Sequence, residues 1–121
     1  MNQEFKERWI AALRSGEYKQ GRNTLYNSGK FCCLGVACEL LVEDGILDKT
    51  YLRTNIFSYG PKGMSDDYFS SSVLPDAACD VLEIDAKGTF SGGHFTENQL
   101  TNLNDTGTSF EEIADIIETY F

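Results

Sequence analysis

Four cysteines and a single histidine are the residues of this chain best suited to covalent chemistry. Cys32 and Cys33 stand at the predicted start of a helix, whose positive end lowers a thiol's pKa and favours the nucleophilic thiolate. His94 would supply the base, and Asn104 or Asp105 would orient it. This arrangement predicts a cysteine-dependent hydrolase as one alternative, although a histidine flanked by glycines is more often simply solvated.

A second group of reactive types lies between residues 14 and 26. Lys19 and Arg22 can meet a phosphate or carboxylate, Tyr26 can stack on a base, and Gln20 can hydrogen-bond to its edge. The amino end of the helix at Cys33 offers a secondary anion site. Neither standard glycine-rich phosphate motif is present, so the pattern predicts either a binding site for a nucleotide-like anion or an ordinary polar hairpin.

Metal and disulfide chemistry are not favoured by the spacing. The chain has no C-x-x-C pair, so we expect no metal and no cofactor. Four cysteines without a recognisable secretory signal indicate free thiols rather than disulfides. An acidic run near the carboxyl end is predicted to be the solvated face of a helix (Glu111, Glu112, Asp115 and Glu118).

The charge is unevenly distributed along the chain. Ten basic and 19 acidic residues give a net charge of −9 and a pI near 4.4, which argues against broad contact with nucleic acid or anionic lipid. Residues 1–30 hold six basic and three acidic residues, whereas residues 31–121 hold four basic and 16 acidic residues. A compact anion is therefore expected at the amino-terminal quarter, and the acidic remainder predicts, as an alternative, an inhibitor or decoy that binds a host protein.

The elements that must position these residues can be read from periodicity and capping signals. A first helix is predicted over about 3–15, followed by a hairpin in which Leu25-Tyr26 and Phe31-Cys32 pair around the turn at 27–29. The apolar segment 31–42 is predicted to be a buried central helix.

The second half of the chain predicts strands around 51–59, a long loop and three further helices. The first of these begins at Leu74-Pro75-Asp76 with Ala78, Val81 and Leu82 inward. Two matches to the capping box, at Thr96 and Ser109, predict helices over about 97–104 and 110–120, with a corner between them at 104–107. The last helix is expected to bury five residues: Phe110, Ile113, Ile116, Ile117 and Tyr120. These elements predict one α+β domain over 1–121, with about five short helices packed on a small antiparallel sheet or hairpin.

The order of these motifs resembles a family of small proteins of tailed bacteriophages and prophages. The resemblance rests on a tryptophan-containing first helix, the Cys-Cys-Leu-Gly-Val block at 32–36, a Leu-Pro helix at 74–82 and the Leu-Asn-Asp-x-Gly-x-Ser-Phe block at 103–110. It spans nearly the whole chain but departs at 43–73 and 83–95.

The resemblance implies a biological setting, phage infection, rather than a particular chemical reaction. Small accessory proteins of phages commonly blunt host defence, either by binding a host protein or by sequestering a nucleotide-derived signal, and most are not enzymes. We therefore expect a non-catalytic, oligomeric binder of a small anion in the bacterial host cytoplasm, without a membrane or direct nucleic-acid partner. The protein-binding inhibitor and the hydrolase remain the alternatives.

Overall fold

The computed structural model describes residues 1–64, 68–90 and 99–121, and within these ranges five helices pack on a five-stranded sheet. The helices are α1 (Gln3–Arg14), α2 (Cys33–Glu43), α3 (Asp76–Leu82), α4 (Leu100–Asp105) and α5 (Phe110–Tyr120). The strands are β1 (Lys19–Gln20), β2 (Tyr26–Asn27), β3 (Lys30–Phe31), β4 (Leu47–Arg53) and β5 (Ile56–Pro61). The predicted α+β class is confirmed.

The sheet has the strand order β1-β3-β2-β5-β4. All neighbouring strands run antiparallel except β1, which pairs with β3 in parallel. The predicted antiparallel sheet is therefore wrong in one pair. The chain returns from β2 through the hairpin, so that β3 lies between β1 and β2 and runs parallel to β1.

Local capping signals fix both ends of α1 and the start of α5. The Asn2 side chain accepts a hydrogen bond from the backbone N–H of Phe5 at 3.1 Å, and Gly16 follows the helix at φ +78°. Ser109 accepts from the N–H of Glu112 at 3.2 Å. The bounds predicted for these two helices are confirmed to within one residue.

The hairpin of β2 and β3 closes through a two-residue turn. Tyr26 faces Phe31 and Asn27 faces Lys30, so the turn consists of Ser28-Gly29, at φ +53° and +85°. Two consecutive positive φ angles match the twist of the flanking strands, which is why small residues are used here. The predicted hairpin is confirmed, with Asn27 in the strand rather than in the turn.

Helix α2 is the centre of the hydrophobic core, as predicted. Seven of its first eight residues are apolar or cysteine, and all eight are buried except the half-buried Glu39. A Cβ atom at Gly35 would lie 1.9 Å from the carbonyl oxygen of Leu25, so only glycine lets the hairpin approach the helix this closely. The indole N–H of Trp9 donates to the Cys33 carbonyl at 3.0 Å and joins α1 to this core.

Two inward-facing predictions are wrong. Val81 is 43% exposed, because the short helix α3 buries Ala78 and Leu82, four residues apart, and Val81 lies off that line. Tyr120 is 36% exposed at the end of α5, where its ring stacks on Phe90 at 5.4 Å between centroids.

Two boundaries also differ from the predictions. Strands β4 and β5 form a longer hairpin than predicted, from Leu47 to Pro61. Helix α4 begins at Leu100, and Gln99 before it has extended backbone at φ −131°, so Gln99 does not stand inside a capping box. Thr96, the other member of that predicted box, lies outside the described residues.

Helices α1 and α5 pack on one another, α1 also packs on α2, and α2 packs on α4 and β4. No helix in the described ranges has the length and apolar character that a bilayer crossing requires.

Candidate functional site

The two faces of the sheet carry different chemistry. The register places Lys19 beside Lys30 and Lys30 beside Asn27, so these side chains share one face, here called the outer face. Their neighbours along the strands, Phe31 and Tyr26, point to the opposite, inner face. Polar and cationic groups are therefore concentrated on the outer face at the β1-β3-β2 end.

A depression of about 280 Å³ opens at this end of the sheet, and it is here called the cationic depression. Its lining consists of Gly21, Arg22, Thr24, Asn27, Ser28 and Lys30. Lys19 lies directly beside Lys30 on the neighbouring strand. The lining therefore supplies cations and small polar groups but no carboxylate.

The cations of this site are not paired within the protein. In the described parts of the chain, Lys19, Arg22 and Lys30 form no ion pair, whereas Arg8 and Arg14 each bind two carboxylates. Like charges directly opposite one another on neighbouring strands destabilise a sheet. An anion bound beside Lys19 and Lys30 would relieve this repulsion.

Two carboxyl-terminal side chains hold the loop that carries Arg22. The Asn104 Nδ2 donates to the Gly21 carbonyl at 2.8 Å, and the Asp105 carboxylate accepts from the backbone N–H of Asn23 at 2.9 Å. The backbone is thus fixed on both sides of Arg22. A site held in this way loses less conformational freedom when it binds a ligand.

Asn104 itself is completely buried and fully engaged. Its Oδ1 accepts from Gln20 Nε2 at 2.9 Å and from the Cys33 N–H at 3.2 Å, and its Nδ2 bonds to Gly21 and, at 3.2 Å, to Asp105. The predicted corner between helices is present at this position. Its additional role as an anchor for a distant loop was not predicted.

The predicted ligand-binding residues are not all brought together. Lys19 lies on the outer face beside Lys30 of the cationic depression, and Arg22 lies in its lining. Gln20 is used by the core instead, since its Nε2 also donates to the Thr108 carbonyl at 2.7 Å and its Oε1 accepts from the Phe110 N–H at 3.1 Å. Tyr26 lies on the inner face, away from Arg22.

The predicted secondary anion site at the start of α2 is wrong. Cys33 is fully buried, and its N–H already donates to Asn104. The N–H of Gly35 donates to the Cys32 sulfur at 3.3 Å. The amino end of this helix is therefore closed by the protein's own groups.

The same burial works against thiolate chemistry. Loss of solvation raises the pKa of Cys32 to about 11 and raises that of Cys33 well above its ordinary value, the opposite of the direction predicted from the helix end. Asp105 is engaged by Asn23 and Asn104, and His94 lies outside the described residues. Desolvation outweighs the favourable helix field at both thiols.

Five lining residues were missed as site residues: Gly21, Thr24, Asn27, Ser28 and Lys30. The available signal was the hairpin turn, which places Asn27 opposite Lys30. The parallel pairing that sets Lys19 beside Lys30 had no signal in the sequence, because strands of two residues carry almost no periodicity. In the ranges that the structure describes, no cluster of histidine, cysteine or acidic residues could hold a metal ion, and all four cysteines are free thiols.

Together these features define a small α+β protein with a preorganised cationic depression on the open face of its sheet. The chain belongs to the family described as Domain of unknown function (DUF8296), whose model matches residues 1–121. No curated protein and no solved structure is similar enough to the chain to match it.

Proposed function

We propose that this protein is a non-catalytic binder of a small nucleotide-like anion, held in the cationic depression by its phosphate. The observation that carries the proposal is a group of three exposed cations without an acidic partner in the described ranges: Arg22 and Lys30 line the polar depression, and Lys19 lies beside Lys30.

The chemistry of the lining suits a phosphoryl group. The Arg22 guanidinium presents a planar fork that can bond two phosphate oxygens, and Lys30 and Lys19 add point charges. Thr24, Asn27 and Ser28 add small polar groups. A volume of about 280 Å³ is just below the usual range for ligand sites, so we expect the phosphate and its adjoining sugar to be seated there and the base to lie near the rim.

In the phage setting that the sequence resemblance implies, such a binder would act in the host cytoplasm as a sponge for a nucleotide-derived defence signal. The acidic face of α5 supports the alternative, a host-protein inhibitor, less well. Arg14 lies 2.7 Å from the carboxylate of Asp115 and 3.3 Å from that of Glu118, which partly neutralises that face.

Calorimetric titration with a panel of cyclic dinucleotides and ADP-ribose derivatives tests the proposal. We expect at least one member to bind and its affinity to fall about 10- to 100-fold in Arg22→Ala or Lys30→Ala, since a hydrogen bond between charged groups contributes about 1.5–3 kcal/mol. Lys62→Ala is the matched control, because Lys62 is an exposed lysine outside the depression.

Two results would count against the proposal. One is the absence of binding by every member of the panel. The other is an equal loss of affinity in Lys62→Ala and Lys30→Ala, which would show a diffuse charge effect rather than a site. Far-UV circular dichroism of each variant confirms that the fold is retained.

A further inference from the structure

The inner face of the sheet carries a continuous row of five aromatic rings, here called the aromatic row. It runs from Tyr51 through Phe57, Tyr26 and Phe31 to Tyr18, with successive ring centroids 4.6, 4.6, 5.0 and 5.2 Å apart. The row therefore crosses from β4 to the residue that precedes β1 by one position.

The aromatic row is partly exposed along its length. Tyr51 is 72% exposed, and the other four rings are half-buried at the edge of the core. Helix α2 covers the adjacent part of the same face, where Tyr59 is fully buried. The rings are thus held firmly from one side and remain open on the other.

The protein's own Lys49 shows what this surface can hold. Its ammonium lies 5.2 Å from the centroid of Phe57 and 2.8 Å from Glu39 Oε1. The other oxygen of Glu39 accepts from the Tyr59 hydroxyl at 2.7 Å, which fixes the carboxylate. A cation is therefore bound between a ring of the row and an anchored carboxylate, the arrangement that favours cation–π contact.

The other end of the aromatic row has similar chemistry without such a cation. Burial and then the carboxylates of Glu43, Glu39 and Glu17 raise the pKa of Tyr18, and the Arg8 guanidinium opposes this rise. Glu43 also pairs with Arg8. In the described ranges, no Lys or Arg lies over the rings of Tyr18, Phe31 or Tyr26.

We propose that the aromatic row binds an arginine- or lysine-rich segment of a partner protein, with its cationic side chains stacked on the rings beside the carboxylates. The excess of acidic residues over 31–121 would steer such a segment towards the protein. A single-stranded nucleic acid could also stack on rings, but its phosphates would approach the exposed carboxylate of Glu17 and the ion-paired carboxylates of Glu39 and Glu43. The basic polypeptide is the occupant that the surrounding charge favours.

Fluorescence polarisation with a labelled peptide of alternating arginine and glycine tests this assignment. Its citrulline counterpart has nearly the same shape without the charge. We expect the arginine peptide to bind at least tenfold more tightly than the citrulline peptide. Tyr51→Ala should weaken its binding about two- to fivefold, the range expected for one exposed cation–π contact.

Leu52→Ala is the matched control, because Leu52 is the next residue of the strand, is 52% exposed and lies outside the aromatic row. Its affinity for the arginine peptide should equal that of the wild type. Equal binding of the two peptides, or an equal loss in both variants, would overturn the proposal. Binding of an oligothymidylate in place of the peptide would overturn it as well.

This inference does not depend on the proposed function, since the cationic depression lies on the other face. Arg22→Ala should weaken binding of the nucleotide-like ligand and leave the affinity for the arginine peptide unchanged, and Tyr51→Ala should do the reverse. Failure of one proposal is thereby distinguishable from failure of the other.

Discussion

Replacement of Asn104 by alanine should destabilise the protein more than any single loss at its surface. Asn104 is completely buried, and its side chain bonds to Gln20, Cys33, Gly21 and Asp105. Asn104→Ala therefore removes one buried side chain and disturbs three separate segments of the chain.

The expected magnitude follows from the partners left behind. Gln20 retains its bond to Thr108, but the buried N–H of Cys33 loses its acceptor and the Gly21 carbonyl loses its donor. An unsatisfied buried group costs about 1–3 kcal/mol, and each further hydrogen bond contributes about 1 kcal/mol. We expect the free energy of unfolding to fall by about 2–4 kcal/mol.

Urea denaturation followed by fluorescence measures this loss directly, since Trp9 is the only tryptophan and is fully buried. With a slope of about 1.5 kcal/mol/M, the midpoint should shift by roughly 1.3–2.7 M. Asn27→Ala, at an exposed strand position, should stay within about 0.5 kcal/mol of the wild type. Equal midpoints for Asn104→Ala and the wild type would refute the reasoning.

Asn104→Asp distinguishes the accepting role of this side-chain amide from its donating role. An ionised carboxylate still accepts from the Cys33 N–H, but it repels the Gly21 carbonyl and the Asp105 carboxylate, whereas a protonated carboxyl can donate to Gly21. The folded state therefore binds the added proton more tightly than the unfolded state does, so stability relative to the wild type falls as pH rises. The deficit in the free energy of unfolding should be larger at pH 7.5 than at pH 4.5.

Three further predictions concern the core and the acid response. Gly35→Ala should lower the melting temperature steeply, although helix propensity alone favours alanine by about 1 kcal/mol, because its Cβ would meet the Leu25 carbonyl. Cys32 should resist Ellman's reagent at pH 7–9 until the protein unfolds, since burial raises its pKa to about 11. Hydrogen bonds from Thr89 hold the pKa of Asp85 below its ordinary value of 3.8. The ionised Asp85 therefore stabilises the fold above pH 3.8, and this stabilisation is lost as the pH falls further. Asp85→Asn should make the free energy of unfolding depend less on pH in this range.

These three predictions have simple controls. Cys79 is partly exposed and should label before the buried thiols, and labelling of Cys32 as fast as free cysteine would contradict the reasoning. Asp48→Asn, at an exposed strand position, should leave the acid response of stability unchanged. An unaltered melting temperature for Gly35→Ala would mean that the hairpin does not pack against α2 as described.

Capping signals and periodicity predicted the helices of this chain well because both depend on residues only three or four positions apart. Helices α1 and α5 begin directly after Asn2 and Ser109, within one residue of the prediction. Where burial depends on tertiary packing, the prediction was wrong: Val81 has the spacing of an inward-facing helical residue but is 43% exposed. The short strand β1 had no periodicity to detect, so its pairing with Lys30 could not be predicted.

The residue types predicted the polar and cationic character of the candidate site better than they predicted which residues line it. The surplus of basic residues in 1–30 includes the three cations of the candidate site, Lys19, Arg22 and Lys30. Gln20 and Tyr26 have the right types but lie among core partners, because strand alternation and tertiary contacts decide which face a side chain takes. The prediction of an anion site at Cys33 was wrong for the same reason, since burial rather than position at the helix start sets the accessibility and the pKa of this residue.

One buried cluster now connects the fold with the cationic depression. Gln20, Asn104 and the N–H of Cys33 join β1, α4 and α2, which are far apart in the sequence. A buried polar group is costly unless all its hydrogen bonds are made, so this cluster is satisfied in one arrangement and strained in others. That arrangement also fixes Gly21 and so sets the position of the Arg22 loop beside Lys30. The bonds that specify the fold are therefore the bonds that preorganise the candidate site, and a variant at Asn104 should weaken the proposed binding of a nucleotide-like anion although Asn104 does not line the depression.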